Sequence, residues 1–388
     1  MPPELGLTIS STVSHSAVDS DMLRVRSVHR AIAELRRGTP VLLRGDSPVV
    51  VLAAETASAP GLADLAALTG AAPVLLLAPV RAAALLRRPV ATPDPSDTVA
   101  VAFRTAGLLD PAVLRGIADP TAAQLLAEPP ELAATPPLAA AALALAKLAR
   151  LLPASIAAPA SRGAVDRATE LGLLAVDAAD VLAYPNAVAS SLRIVAEASV
   201  PLAVSADTRV IAFRGPDAGI EHLAIVIGDP ATAQAGDPAP LVRLHSECFT
   251  GDLLGSLRCD CGPQLHAALE RIAAEGAGVL LYLAQEGRGI GLASKLRAYT
   301  LQDRGLDTVD ANRALGWQAD ERNFLVAATM LEQLGLRRIR LLTNNPDKLA
   351  ALAACGINVE ARAELVIPPN GVNDHYLATK ARRFGHLL

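Results

Sequence analysis

The run Leu241 to Gly262, L-V-R-L-H-S-E-C-F-T-G-D-L-L-G-S-L-R-C-D-C-G, holds three of the chain's four cysteines: Cys248, Cys259 and Cys261. Thiolates packed this closely, a Cys-x-Cys pair with a third sulfur eleven positions upstream, suit a single soft or borderline cation such as zinc. Three ligands are one short of a closed structural site. An ion with an open position holds a water and lowers its pKa to about 7, which makes a hydroxide nucleophile at neutral pH. A pair of buried thiols is the plain structural alternative. Against it stand the polar neighbours His245, Ser246, Glu247, Asp252, Arg258 and Asp260, which do not suit a dry core position. Cysteines one residue apart also bridge badly as a disulfide. His245 is either a fourth ligand or, as a lone histidine ending an apolar strand, a hydrogen-bonded structural group.

Downstream of the cysteines the chain gathers groups suited to an anion. A strand expected at Gly278 to Leu283 leads into Gln285-Glu286-Gly287-Arg288-Gly289-Ile290-Gly291. Its glycines let the backbone approach a ligand, and Arg288 offers a fork of donors to phosphate oxygens; a tight strand-to-helix turn is the other reading of glycines alone. The helix expected at Leu292 to Asp303 brings Lys295, Arg297 and Tyr299 near that loop. Asp320-Glu321-Arg322 reads as the opening of a further helix, with Asp320 as N-cap and Phe324, Ala327, Ala328, Leu331 and Leu334 as its buried stripe. A cation such as Arg322 at the positive end of a helix calls for an anion nearby. Arg338 to Leu342 reads as a strand, and Thr343-Asn344-Asn345-Pro346 caps a helix containing Lys348, where backbone N–H groups favour an anion. Cys355 is most simply a buried apolar residue at the end of that helix. The sum is a metal-activated water beside a polyanion, and hydrolysis of a nucleotide base or of a phosphate ester fits it best.

The elements that must hold these groups come from a chain of 388 residues, longer than one hydrophobic core usually serves, so two domains are expected. Apolar residues make up 52%, much of it alanine, and the longest uncharged apolar runs are too short to span a bilayer. Met-Pro-Pro-Glu-Leu shows no secretory signal, so a cytoplasmic protein is expected. A net charge of −4, with no basic run interleaved with aromatics, argues against a nucleic-acid partner. In the first half, a helix from Val28 to Arg37, strands at Val41 to Arg44, Val49 to Ala53 and Val74 to Leu77, and a turn at Gly45-Asp46-Ser47-Pro48 point to an αβ layer. From Glu128 to Gly163 the chain is rich in Pro and Ala and, with one helix within Leu138 to Leu152, reads as a loose connection or peripheral element. That half carries no cysteine, histidine cluster or phosphate loop, so packing or oligomerisation suits it better than a second active site. In the second half, Leu265, Ala268, Leu269 and Ile272 give Pro263 to Ala274 a helical stripe.

Residues from about Leu192 to Leu388 resemble GTP cyclohydrolase II, the family that opens the guanine ring of GTP at the start of riboflavin synthesis. The matching runs are Arg243 to Cys248, Ser256 to Gly262, Gln285 to Leu292, Lys295 to Asp303, Asp307 to Asn312, Asp320 to Arg322, Leu341 to Pro346 and His375 to Leu388. The resemblance implies an α+β fold of two αβ domains, residues 1–190 and 191–388, the second catalytic. It implies one zinc per chain on Cys248, Cys259 and Cys261, magnesium with the triphosphate, GTP as substrate and a homodimer. Attack at C8 of the imidazole ring would release formate, and pyrophosphate would leave, giving 2,5-diamino-6-(5-phosphoribosylamino)pyrimidin-4(3H)-one. Carried over by position, Arg243, Leu244, His245, Ser246, Glu247, Gln264, Glu286, Gly287, Arg288, Thr308, Thr343 and Lys348 would hold GTP, with Glu286 a candidate to face magnesium. Arg322 would act at the α-phosphate, with Asp320 as proton acceptor and Tyr299 assisting ring opening. Because a guanidinium has a pKa above about 12, Arg322 suits a phosphate ligand better than a nucleophile.

Two positions depart from the family's pattern, Ala284 in place of an arginine and Asn323 in place of an aspartate; both are expected beside the phosphate site, where they would reduce turnover. A nucleotide-binding relative that keeps the zinc without turnover is therefore the alternative reading. The first half is distantly similar to 3,4-dihydroxy-2-butanone 4-phosphate synthase, on Ala31 to Val41 and Ala53-Ala54-Glu55. Leu42-Leu43-Arg44-Gly45-Asp46-Ser47-Pro48-Val49 does not supply the acidic magnesium cluster of that family, so the first half is expected to be inert in that reaction.

Overall fold

Val49-Val50-Val51-Leu52-Ala53 is apolar at every position, the pattern of a strand covered on both faces. In the computed structural model, which describes residues 15–87, 100–105, 107–123, 130–216, 219–374, 378–379 and 382–383, it is an inner strand of a seven-stranded sheet. That sheet is built from β1 (Val41–Arg44), β2 (Val49–Ala53), β3 (Val74–Leu77), β4 (Val101–Arg104), β5 (Glu131–Ala133), β6 (Ala154–Pro159) and β7 (Leu174–Asp177), in the order β5-β4-β3-β6-β2-β1-β7. Side chains alternate between its two faces. Val49, Val51 and Leu76 meet helices His15–Arg37, Ala139–Leu148 and Ala178–Ser190, while Leu42, Val50, Leu52, Leu75 and Leu77 face the opposite layer.

The interval from Glu128 to Gly163 is not a loose connection. Residues 124–129 lie outside the described set, but the helix Ala139–Leu148 is largely buried and β6 is the middle strand of the sheet. β6 pairs antiparallel with β2 on one side (Leu52↔Ile156) and β3 on the other (Leu75↔Ile156). Alanine side chains give a weak hydropathic signal, yet their small size is what lets a central strand and a covering helix approach closely. The prolines fall outside this framework or at its edges: Pro153 precedes β6 and Pro159 ends it.

The second sheet comprises β8 (Arg193–Ser199), β9 (Thr208–Arg214), β10 (Glu221–Ile227), β11 (Leu241–Ser246), β12 (Gly278–Leu283), β13 (Arg338–Leu342) and β14 (Asn358–Ala363), ordered β14-β13-β11-β12-β10-β9-β8. β11 runs parallel to β12 and β13, whereas β12, β10, β9 and β8 pair antiparallel. Val242, Leu244, Val279 and Leu281 pack under helices Leu325–Gln333 and Pro346–Ala354; Leu241 and Leu280 pack under helix Cys261–Ala274. The carboxyl ends of the parallel strands β11, β12 and β13 therefore open together, the position at which sheets of this kind present ligand-binding loops. The expected pair of αβ layers in an α+β chain is what the fold contains. No described helix is long and apolar enough to cross a membrane. Of the runs that carry the family resemblance, most of His375 to Leu388 lies outside the described residues.

His222 on β10 is buried and accepts the Ala284 N–H on Nδ1 at 3.1 Å. Burial, reinforced by the nearby Arg150 charge, pushes its pKa down to about 4. The unfolded chain, with an ordinary histidine near 6.5, takes up the proton first. His222 therefore costs no stability above that pH, and its cost grows as pH falls towards about 4, reaching about 3 kcal/mol. Urea unfolding measured between about pH 7 and pH 4 is expected to show this loss, and His222→Gln to remove its pH dependence.

Candidate active site

After β11 the chain winds through one wide helical turn, Phe249–Leu253, before helix Cys261–Ala274 begins. That path brings the Sγ atoms of Cys248, Cys259 and Cys261 within 4.8 Å of one another, with Cys248 and Cys259 3.7 Å apart. Among the described residues no fourth histidine, cysteine or carboxylate joins the cluster. The turn wraps this tightly because residue 251 is glycine: a Cβ there would sit 2.8 Å from the Cys259 sulfur and 3.0 Å from that of Cys248. Asp252 fastens the turn by accepting the Cys248 N–H at 2.9 Å, the Tyr282 hydroxyl at 2.9 Å and His245 Nε2 at 3.1 Å. Of its two readings, His245 is thus the hydrogen-bonded structural group, and it stacks on Tyr282. Burial lowers the His245 pKa against the pull of Asp252, so the ring is neutral and donates Nε2–H.

Lys295 Nζ stands 3.0 Å from the Cys248 sulfur and 2.8 Å from Glu286 Oε1. Hydrogen bonds from the Cys259 and Cys261 thiols, joined by the Lys295 ammonium, outweigh burial and hold Cys248 far below the ordinary thiol range. The reciprocal bond to Cys248, with burial, pushes Cys259 up to about 11. Burial opposes the charge on Lys295, but Glu286 and the Cys248 sulfur outweigh it and raise its pKa. Three converging sulfurs, those of Cys248 and Cys259 buried, around a hollow that only glycine leaves open fit a zinc ion in number, softness and spacing.

The sulfurs form one wall of a cleft of about 530 Å³. Gly287 and Arg288 both take left-handed backbone conformations, φ 63° and 65°, and a Cβ on Gly287 would meet Ile290 Cγ1 at 2.9 Å. For Arg288 this conformation costs on the order of 1 kcal/mol, held by the bond its carbonyl accepts from the Glu321 N–H at 3.1 Å. Glu286 ties the loop to the cysteine turn: Oε2 accepts the Phe249 N–H at 2.7 Å, and Oε1 accepts the Gly287 N–H at 2.8 Å as well as Lys295. Both oxygens are committed within the protein, so the expectation that Glu286 faces magnesium does not match its contacts.

In the same cleft, Arg243 donates through Nη1 to the Leu342 carbonyl at 2.9 Å and through Nη2 to Gln264 Oε1 at 2.6 Å, while its buried Nε has no partner. Burial lowers its pKa to about 10, and the guanidinium stays charged at neutral pH. Lys348, in the first turn of helix Pro346–Ala354, donates to the Leu244 carbonyl at 2.9 Å. Asn345 caps that helix, accepting the Asp347 N–H at 3.0 Å. Arg322 Nη1 lies 3.4 Å from Ser246 Oγ. Asp320 does not cap a helix. The helix begins later, at Leu325, because the Asp320 carboxylate turns back onto Arg322, accepting its backbone N–H at 3.1 Å and its Nε at 2.8 Å. Burial works to raise the Asp320 pKa, but the bonds and charge of Arg322 outweigh it and keep the carboxyl below its ordinary value. Tyr299 shares a 3.3 Å contact with Thr250 Oγ1 under the Arg258 guanidinium, and burial raises its pKa, so the phenol is protonated.

All the residues singled out from the sequence for metal or substrate line this cleft, from Arg243 to Cys248 through Cys259, Cys261, Gln264, Glu286, Gly287, Arg288, Tyr299, Thr308, Arg322, Thr343 and Lys348. Asp320 does not; it stands behind Arg322. Nor does Arg297, expected near the glycine loop, because its guanidinium turns away to Glu55 and Asp119. Ala284 and Asn323 are also absent from the lining, contrary to the expectation that they flank the phosphate site. The Ala284 carbonyl accepts from Arg150, and Asn323 Nδ2 donates to Pro185 O and Asn186 Oδ1, so both face the first half of the chain. Sequence reasoning missed the bond from Lys295 to Cys248 and the lining role of Arg258, Gln302 and Asn312. The four-residue spacing of Lys295 and Tyr299, which puts both on one helix face, was the available signal.

The family model for GTP cyclohydrolase II matches residues 193–364. A GTP cyclohydrolase-2 from Azospirillum brasilense is 48% identical over 387 residues, covering 97% of this chain and 98% of its own. One from Yersinia pestis is 52% identical over 197 residues, 51% of this chain and 98% of its own. Among solved structures, a two-domain 3,4-dihydroxy-2-butanone 4-phosphate synthase from A. baumannii is similar at 18% identity with a TM-score of 0.33, covering 88% of this chain and 99% of that one.

Gly251→Ala tests the glycine-shaped hollow. The added methyl would displace Cys259 or Cys248, and metal affinity, read as metal per chain after dialysis against graded chelator, is expected to fall about 10- to 100-fold with the fold intact by circular dichroism.

Proposed function

The chain belongs to the GTP cyclohydrolase II family, and on that premise we propose that it hydrolyses GTP at the guanine imidazole ring, releasing formate and pyrophosphate and leaving 2,5-diamino-6-(5-phosphoribosylamino)pyrimidin-4(3H)-one for riboflavin synthesis. The observation that carries this reading is one cleft lined both by three converging thiols and by Arg243, Arg322 and Lys348. Cys248, Cys259 and Cys261 would hold zinc, which would supply a Lewis acid able to lower the pKa of a water to about 7.

The chain's own residues do the rest. Lys348, Thr343, Arg288 and the N-terminal turn of helix Pro346–Ala354 bind the triphosphate, which carries magnesium. Arg243, Leu244, His245, Ser246, Glu247, Gln264, Glu286, Gly287 and Thr308 shape the walls around base and ribose. Tyr299, protonated and next to the sulfurs, donates its proton as the ring opens. Arg322 acts as an α-phosphate ligand: a nucleophilic arginine must lose a proton, and the paired carboxylate of Asp320 stabilises the protonated form. Residues 1–190 take no chemical part. A homodimer acting in the cytoplasm completes the reading.

Purified chain given GTP is expected to release formate with one zinc bound per chain. Cys259→Ser should lose both, and Arg322→Ala should lower kcat/KM about a hundredfold or more while keeping the zinc. Zinc-loaded, GTP-binding protein that yields no formate would overturn the reading in favour of a nucleotide-binding relative.

A further inference from the structure

The first half of the chain meets the cleft's elements at several polar contacts and one apolar seam, and three of the polar contacts land beside cleft residues. Glu55, two residues past β2, has both oxygens engaged: Oε2 accepts the Leu152 N–H at 2.7 Å and Oε1 accepts Arg297 Nη2 at 2.7 Å. Arg297 Nε also meets Asp119 Oδ2 at 2.8 Å, and the three side chains are only 18%, 23% and 14% exposed. Arg297 lies between Lys295 and Tyr299 on helix Leu292–Asp303. Lys147 pairs with Glu321, next to Arg322, at 2.6 Å. Arg150 reaches the Ala284 carbonyl at 3.2 Å, at the start of the Gln285 to Arg288 loop. Beneath these contacts Ala298, Leu301, Ala311, Leu315 and Trp317 share one apolar core with Leu52, Leu75 and Leu77 of the first sheet.

We propose that Glu55 is a positioning residue: through Arg297 it fixes the helix bearing Lys295 and Tyr299 against the sulfurs, so that the chemically silent first half is the buttress of the active site. A guanidinium held by two carboxylates in a partly dry seam has one geometry, and the helix it belongs to inherits it. Lys295 must meet the Cys248 sulfur to within a hydrogen-bond distance, a tolerance that a tilt of about 1 Å exceeds. Neither bond of Glu55 reaches the elements that bear Arg322, Lys348 and Thr343, so the grip of those three on the phosphates does not pass through it.

The kinetic arm of the test rests on the hydrolysis proposed above; a second arm does not. In the full chain, Glu55→Gln keeps the acceptor for Leu152 and removes the charge facing Arg297. At full zinc occupancy it is expected to lower kcat about tenfold while KM for GTP moves less than about twofold. Arg297→Lys, which keeps the charge but not the fork that reaches both Glu55 and Asp119, is expected to fall between the two. Amide exchange in residues 292–303 should quicken in Glu55→Gln with the rest of the exchange map unchanged. An unchanged kcat with unchanged exchange overturns the proposal, and so does a loss of kcat with exchange raised evenly across the chain, which marks general destabilisation. If the wild-type chain releases no formate, the hydrolysis reading fails, and the exchange arm alone decides whether Glu55 holds this helix.

Discussion

Three sulfurs confined within 4.8 Å of one another cannot all carry charge without compensation. Two thiolates 3.7 Å apart repel by about 4 kcal/mol at an effective dielectric near 20. The hydrogen bonds that Cys248 accepts, with the Lys295 ammonium, favour its thiolate, and a divalent ion would make three thiolates tenable. Much of the cleft follows from that constraint. Gly251 leaves room for the sulfurs to converge, Asp252 holds the Cys248 backbone, and Glu286 balances Lys295 while tying the glycine loop to the same turn.

The other pole of the cleft obeys the same electrostatics with the sign reversed. Arg243, Arg322 and Lys348 are buried or nearly so, and each is oriented by a neutral carbonyl or a single carboxylate rather than cancelled by several acids. Such buried charges contribute little net stability, because desolvation offsets their pairing. Their effect is a region of positive potential in the same cleft as the three sulfurs.

The two sheets are joined by more than a linker. One face of the first sheet is covered in part by residues from the second half, Ala298, Leu301, Ala311, Leu315 and the fully buried Trp317 among them. Removing that seam would expose apolar surface on both halves, each fully buried leucine-sized side chain contributing about 1.5 to 3 kcal/mol. The helix that carries Lys295 and Tyr299 is therefore a component of both layers. Ala284 and Asn323, the positions at which the chain departs from its family's pattern, also make contacts with the first half of the chain.

The sequence by itself determined what depends on neighbours a few residues apart. The spacing of Cys248, Cys259 and Cys261 marked the metal site, alternation and apolar runs marked β1 to β3 and β12, and Asn345-Pro346 marked a helix start, because each of these signals is a local steric or hydrogen-bonding rule. Most residues of the cleft were legible only through the family resemblance, since Gln264, Tyr299 and Thr308 lie on separate helices that no local rule brings together. Tertiary structure decided the rest. Ala154–Pro159 became the central strand because a small-residue strand fits where neighbours crowd it, which hydropathy does not register. Asp320 turned from helix cap to partner of Arg322 because a buried guanidinium competes for a carboxylate more strongly than a free N–H does. Glu55 met Arg297 across 242 residues because the packing of two sheets, and no property of either segment alone, brought them together.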